Sequence, residues 1–227
     1  MNTLATGASR SVFSLDLARV AGCIGLLLLI SGSFSHYVNS KLIVLSDIQA
    51  TANNILTSGP LFLQGIVSGL LMQAMFIFYV LALVKLLKNV DKQLAIIMSV
   101  LAFISVPIFM LNQLNLYAIL PLAQNQSIEF VGIFLDIYRK GAAVASIFFG
   151  LWLLPLGILV YKSGYLPKVI GGLLVVGSLG YPVLFVQIFL FPEIENSLYS
   201  NPFLLVTHLA EMSLMFWLLF KGTKFRT

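Results

Sequence analysis

The sequence predicts an all-α polytopic membrane protein, a bundle of six transmembrane helices. Two observations carry that expectation. Of 227 residues, 59% are hydrophobic and 9% are charged, and the mean hydropathy is +1.01. A water-soluble domain carries about 25% charged residues, so a soluble chain of this length has no way to hide so much apolar surface. The apolar residues also fall into six runs, each near the roughly 20 residues needed to cross about 30 Å of hydrocarbon. The expected spans are 15–37, 60–87, 94–120, 130–160, 167–191 and 202–220. The second and fourth are long enough to tilt or to project beyond the bilayer. No soluble domain or low-complexity tract interrupts them, so residues 1–227 are expected to form a single transmembrane domain.

Taken in order, the first span begins near Arg10 and Arg19 and contains Cys23, the one cysteine. A secretory leader has a shorter apolar region, about 7–15 residues, so the expectation here is a retained helix. A single cysteine allows no internal disulfide and no zinc site built on cysteine pairs. After span one, "SDIQ" at 46–49 reads as a capping box, with Ser46 as N-cap and Gln49 at the third helical position. Ile48, Ala52, Ile55 and Leu56 then share one face. A short amphipathic helix is expected near 47–57 on the outer surface, ending before Gly59-Pro60.

Span two carries Gly65 and Gly69, a small-xxx-small pair that lets a neighbouring helix come close. Pro107 in span three and Pro155 in span four are expected to kink their helices. Between spans four and five, "YKSGYLPK" reads as a tight turn, with Gly164 ending one helix and Pro167 starting the next. "NPF" at 201–203 makes Asn201 the cap of span six and puts Pro202 in its first turn.

Charge sets the orientation. Arg10, Arg19, Lys85, Lys88, Lys92, Lys162, Lys168, Lys221, Lys224 and Arg226 belong to one side of the six-span map. The other side holds mainly Lys41, Asp47, Glu129, Glu193 and Glu195. Lys and Arg accumulate in cytoplasmic loops, so both termini are expected in the cytoplasm. The net charge of +5 is explained by this asymmetry, and no nucleic-acid partner is expected.

Several stretches together resemble a known family: "LARVAG" at 17–22, "ATANNIL" at 50–56, "FFGLWLLPLGILVYKSGYLPKVIGGLL" at 148–174, "GY" at 180–181, "LFP" at 190–192 and "EMSLMFWLLFKG" at 211–222. They are similar to the prokaryotic six-helix membrane family catalogued as domain of unknown function 4386. The resemblance spans nearly the whole chain. It implies a six-helix membrane protein without an established activity, in a prokaryotic cytoplasmic membrane. It marks Arg19, Asn54, Gly150, Pro155, Gly157, Ser163, Gly164, Pro167 and Glu211 as matches. It also implies a histidine near the place where this chain has Tyr138, so chemistry needing that histidine is not expected here.

Ionisable groups in hydrocarbon cost roughly 2.5–3.5 kcal/mol on insertion scales, so their placement points to use. Glu211 sits near mid-depth of span six, roughly 13 Å from Pro202 at 1.5 Å per residue, and His208 lies three residues earlier on an adjacent part of the same face. The outer half of the map also holds His36, Asn112, Asn115, Asp136 and Arg139, whereas the inner half offers little beyond Ser99, Ser105 and Ser178. The expected candidate ligand-binding set is therefore His36, Asn112, Asn115, Asp136, Arg139, His208 and Glu211, around an outward-opening polar pocket for a small molecule or ion. Asp136 can meet Arg139 or Lys140 along its helix. Two histidines and two carboxylates invite a metal, but nothing brings His36 and Asp136 to His208 and Glu211, and neither metal nor cofactor is expected.

Three functions compete at this point: a ligand-binding protein of transport or sensing type, a membrane-embedded enzyme using Glu211 and His208 as acid and base, and a structural or accessory subunit whose polar groups hold helices together. The enzyme reading lacks an evident nucleophile. Beyond the lipid bilayer, no partner is specified.

Overall fold

The computed structural model describes residues 3–191 and 201–223, with side chains from Leu17 onward. Among these residues there is no strand. Six helical segments are long and apolar enough to cross a membrane: Leu17–Leu42, Gly59–Leu87, Lys92–Gln124, Ile128–Ser163, Lys168–Leu190 and Pro202–Phe220. Each contains an expected span or nearly coincides with it. The first helix, α1 (Thr3–Leu42), runs further at both ends than its apolar run. The expectations that fall on Glu193, Glu195, Lys224 and Arg226 lie outside the described residues, as do those on the side chain of Arg10.

A short helix, α2 (Ile48–Thr57), follows α1 as expected, but its cap is one residue later than the capping box predicts. Asp47, not Ser46, is the N-cap, and its Oδ1 accepts from the Ala50 amide at 2.8 Å. An acceptor-only carboxylate at the positive end of a helix outcompetes the serine hydroxyl beside it. Thr51 and Asn54 of the "ATANNIL" stretch then tie α2 to the end of α1. Thr51 Oγ1 donates to the Val44 carbonyl at 3.0 Å, and Asn54 Nδ2 to the Leu42 carbonyl at 3.3 Å.

The helix α3 (Gly59–Leu87) lies against α1 through the small residues of both. A Cβ on Gly65 would come within 2.7 Å of Val38 Cγ1, so only glycine permits that approach. Ser68 Oγ donates to the Ser31 carbonyl at 2.8 Å across the same seam. After a turn capped by Asp91, α4 (Lys92–Gln124) runs as one helix through Pro107 and Pro121. Pro107 does not break it.

Span four does break. It consists of α5 (Ile128–Leu151) and α6 (Leu153–Ser163), separated at Trp152. Pro155 lacks the N–H that would bond the Leu151 carbonyl, and its ring crowds that carbonyl, which places the discontinuity one turn upstream. Span five breaks in the same way. It divides into α7 (Lys168–Gly177) and α8 (Gly180–Leu190) at Ser178–Leu179, four and three residues before Pro182. The two breaks face each other: a Cβ on Gly150 would run into Pro182 Cδ and lie 2.8 Å from the Ser178 carbonyl oxygen.

Irregular backbone at membrane depth needs partners for its freed polar groups. The last helix, α9 (Pro202–Phe220), supplies one to the end of α7 and braces the start of α8. Thr207 Oγ1 donates to the Gly177 carbonyl, and Asn201 Nδ2 donates to the Gly180 carbonyl at 2.8 Å. Asn201 also caps α9 as expected, its Oδ1 accepting from the Leu204 amide at 3.1 Å.

At the end of the bundle that carries the chain termini, the α6–α7 turn closes on Gly164, whose φ of 74° is in the left-handed region that glycine adopts freely. Pro167 is the N-cap of α7, and Lys168 begins the helix. Tyr165 Oη donates to the Leu86 carbonyl at 2.8 Å, satisfying a carbonyl in the last turn of α3. Burial pushes the Tyr165 phenol up to about 12, so this donor keeps its proton throughout the neutral range.

Two buried apolar clusters result. One fills the terminal half, around Leu83, Met98, Leu156, Leu159 and Leu214. The other closes the opposite end, where Ile55 and Ala52 of α2 pack with Val38, Phe62, Leu116 and Val131. That second cluster joins α1 to α5 and leaves α8 and α9 outside it. The space between the clusters is not filled.

Candidate functional site

A cavity of about 480 Å³ occupies that space, lined from all six spans. It runs from the level of Arg139 and Ile188, in the half nearer α2, down to Trp152, Leu156 and Leu174. Its volume is in the range of small-molecule sites, about 300–1,000 Å³. The wall is mostly apolar, with a few polar groups converging on it, which is the usual make-up of such sites.

A chain of rings forms one side. Trp152 meets Phe76 edge to face with centroids 5.1 Å apart, and Phe76 lies 5.4 Å from Phe149. Phe149 lies 6.1 Å from Tyr181, which in turn lies 6.1 Å from the His208 imidazole. Glu211 stands beside this chain, and its contact in the structure is the Tyr181 hydroxyl, 3.5 Å from Oε2. The carboxylate thus faces inward, with a polar group at the limit of hydrogen-bond reach. Its hydrogen-bond partner belongs to span five.

His208 lines the cavity one turn above Glu211. Its Nδ1 is 2.7 Å from the Leu204 carbonyl oxygen. A carbonyl only accepts, so Nδ1 carries the proton, and in the neutral ring Nε2 presents a lone pair. Arg139 enters from α5 and makes no ion pair among the described residues.

The remaining members of the expected set lie elsewhere. His36 is on the exposed side of α1, its Nε2 3.5 Å from Ser40 Oγ. Asp136 pairs with Lys140 at 2.6 Å on the outside of α5, not with Arg139. Asn112 is buried and donates to the Tyr138 carbonyl at 2.8 Å, while its Oδ1 accepts from Asn115 at 3.0 Å. These two asparagines join α4 to α5. The structure brings Arg139, His208 and Glu211 to one cavity and leaves His36, Asn112, Asn115 and Asp136 out of its lining.

The sequence reading missed Gln73. It is fully buried in the middle of α3, it lines the cavity, and neither amide atom has a hydrogen-bond partner. The indole N–H of Trp152, also in the lining, is likewise unpartnered. The signal was available: Gln73 is the one amide within the apolar run "GLLMQAMFIFYV" at 69–80.

Six broken-and-straight helices around a mid-depth cavity with one carboxylate define a multi-pass membrane protein with an internal chamber. The family follows from comparison of sequences. The profile of the family described as "Domain of unknown function (DUF4386)" matches residues 20–222, and the chain belongs to that family. An uncharacterized protein of Archaeoglobus fulgidus is 34% identical over 143 residues, which cover 63% of this chain and 74% of the archaeal one. No solved structure matches the chain. The geometry also gives roles to residues that the family resemblance marks. Asn54, Ser163 and Gly164 shape turns. Gly150, Pro155 and Gly157 shape or accommodate the broken spans. Glu211 has no such duty.

Proposed function

We propose that this protein binds a small ligand in the chamber and works as a transport or sensing component of the cytoplasmic membrane. The observation that carries this reading is the side chain of Gln73: fully buried in the chamber wall, with both amide atoms unpartnered among the described residues. An unsatisfied buried polar group costs about 1–3 kcal/mol, a cost that a leucine at the same place would avoid. The work of holding helices together falls to other groups, among them Ser68, Asn112, Thr207 and Asn201. Glu211, Arg139 and Gln73 are left for an occupant.

The test is Gln73→Leu. If the amide serves a ligand, the variant folds and its melting temperature in detergent rises by a few degrees, about 2–4 °C per kcal/mol for a chain of this size. A fall in melting temperature of similar size would mean that Gln73 supports the bundle, and the reading would be lost.

The chamber reaches into the half of the bundle nearer α2, and the distribution of Lys and Arg supports placing that half toward the outside of the cell. In a Cys23→Ser background, Asn125→Cys should react with a membrane-impermeant maleimide on intact cells. Asn89→Cys should react after permeabilisation alone. The reverse pattern would invert the topology and make the chamber face the cytoplasm.

A further inference from the structure

Resting on that reading of the chamber, we infer that its ligand is an organic cation, a protonated amine or quaternary ammonium carried on an apolar body, seated with its charge against Glu211. Four observations converge on this class. Glu211 makes no ion pair among the described residues: its contact is the Tyr181 hydroxyl at 3.5 Å. The rings of Phe76, Phe149 and Tyr181 stand around the same space, and the negative faces of aromatic rings attract cations, more strongly when desolvated. Gln73 adds a buried amide, unpartnered among the described residues, to the chamber wall. The His208 ring, its Nδ1 held by the Leu204 carbonyl, leaves Nε2 as its free edge.

An inorganic cation fits poorly. Hard divalent ions need six or more oxygen ligands in place of water, and one carboxylate in a mostly apolar wall does not supply them. An organic cation carries its own apolar surface, which this wall buries. Arg139 does not oppose such an occupant at the floor. It lies ten residues from Phe149 along α5, roughly 15 Å at 1.5 Å per residue, and it is partly exposed. It lines the chamber at the end away from Trp152, Leu156 and Leu174, where it meets the far end of the ligand.

Binding should depend on pH, because a proton and the ligand compete for Glu211. The titratable or charged groups that face the chamber with it are Tyr79 from α3, Tyr138 and Arg139 from α5, Tyr181 from α8 and His208 from α9. A quaternary ammonium probe cannot itself lose a proton, so its pH dependence reports the protein.

The experiment is calorimetric titration of the purified protein with benzyltrimethylammonium, and with benzoate as the anionic counterpart. The expected result is saturable binding of the cation that weakens as pH falls. Glu211→Gln should reduce the affinity by about tenfold or more, as expected for loss of the charge facing a desolvated cation. Arg139→Gln should bind the cation at least as well as the native protein, and His36→Ala, outside the chamber, should be unchanged. Preferential binding of benzoate, lost in Arg139→Gln, would overturn the cation assignment while leaving the ligand chamber standing. If neither probe binds, the cation inference fails; if Gln73→Leu is also destabilising, the chamber reading falls with it.

Discussion

Gly150→Val should leave little folded protein. The glycine lies where the two broken spans cross, and even a single added carbon would collide with Pro182 Cδ and approach the Ser178 carbonyl oxygen to 2.8 Å. Overpacking in a core commonly costs about 1–3 kcal/mol because side chains shift to absorb it. Here the obstacles are a proline ring and a backbone carbonyl, which have few ways to give, so about 3 kcal/mol or more is expected. Size-exclusion profiles of the solubilised variant should show aggregate in place of the native peak. A native-like profile and melting temperature would mean that the spans do not cross at this glycine.

Asn201→Ala should be the next most damaging change. The side chain does two jobs from a buried position: it caps α9 through the Leu204 amide and satisfies the Gly180 carbonyl in the broken part of span five. Loss of a cap costs about 0.5–2 kcal/mol. Hydrogen bonds between membrane helices average about 0.6 kcal/mol, because the unfolded chain in the bilayer also finds partners. A total of about 1–3 kcal/mol corresponds to a fall of about 2–12 °C in melting temperature. Asn201→Asp keeps the acceptor for Leu204 and loses the donor for Gly180, so it should recover part of the loss. Equal melting temperatures for the native protein and Asn201→Ala would remove both roles.

These two residues show how far the sequence carries. Asn201 is legible as a cap because "NPF" is a local signal, and caps act over three residues. Span four's break is legible from Pro155. The break in span five has an equal signal in Pro182, yet "GSLGYPVLF" at 177–185 also reads as ordinary apolar helix with small residues. What decides the matter is Thr207 and Asn201 on another helix, which make the broken backbone tolerable.

The site divides along the same line. Hydropathy gives depth, and depth selected His36, Asn112, Asn115, Asp136, Arg139, His208 and Glu211. It does not give the direction a residue faces around its helix. His36 and Asp136 point away from the chamber, and Asn112 is spent on its neighbours. Gln73 escaped notice because a lone amide in an apolar span usually reads as a bond between helices. Its lack of any partner is a property of the assembled bundle alone.

The paired discontinuities at Trp152 and Ser178 have a mechanical consequence. Both arms of the α6–α7 hairpin are severed where Gly150 meets Pro182 and Ser178, and Gly157 and Gly171 hold the arms together at backbone distance, a Cβ on Gly157 falling 2.8 Å from the Gly171 carbonyl oxygen. A hairpin fused along its length and jointed at its root is a single blade, set off from α5 and α8 by the two joints. Its tip is clasped by Tyr165 to the end of α3, and its blade bears Leu156 and Leu174 at the chamber's base.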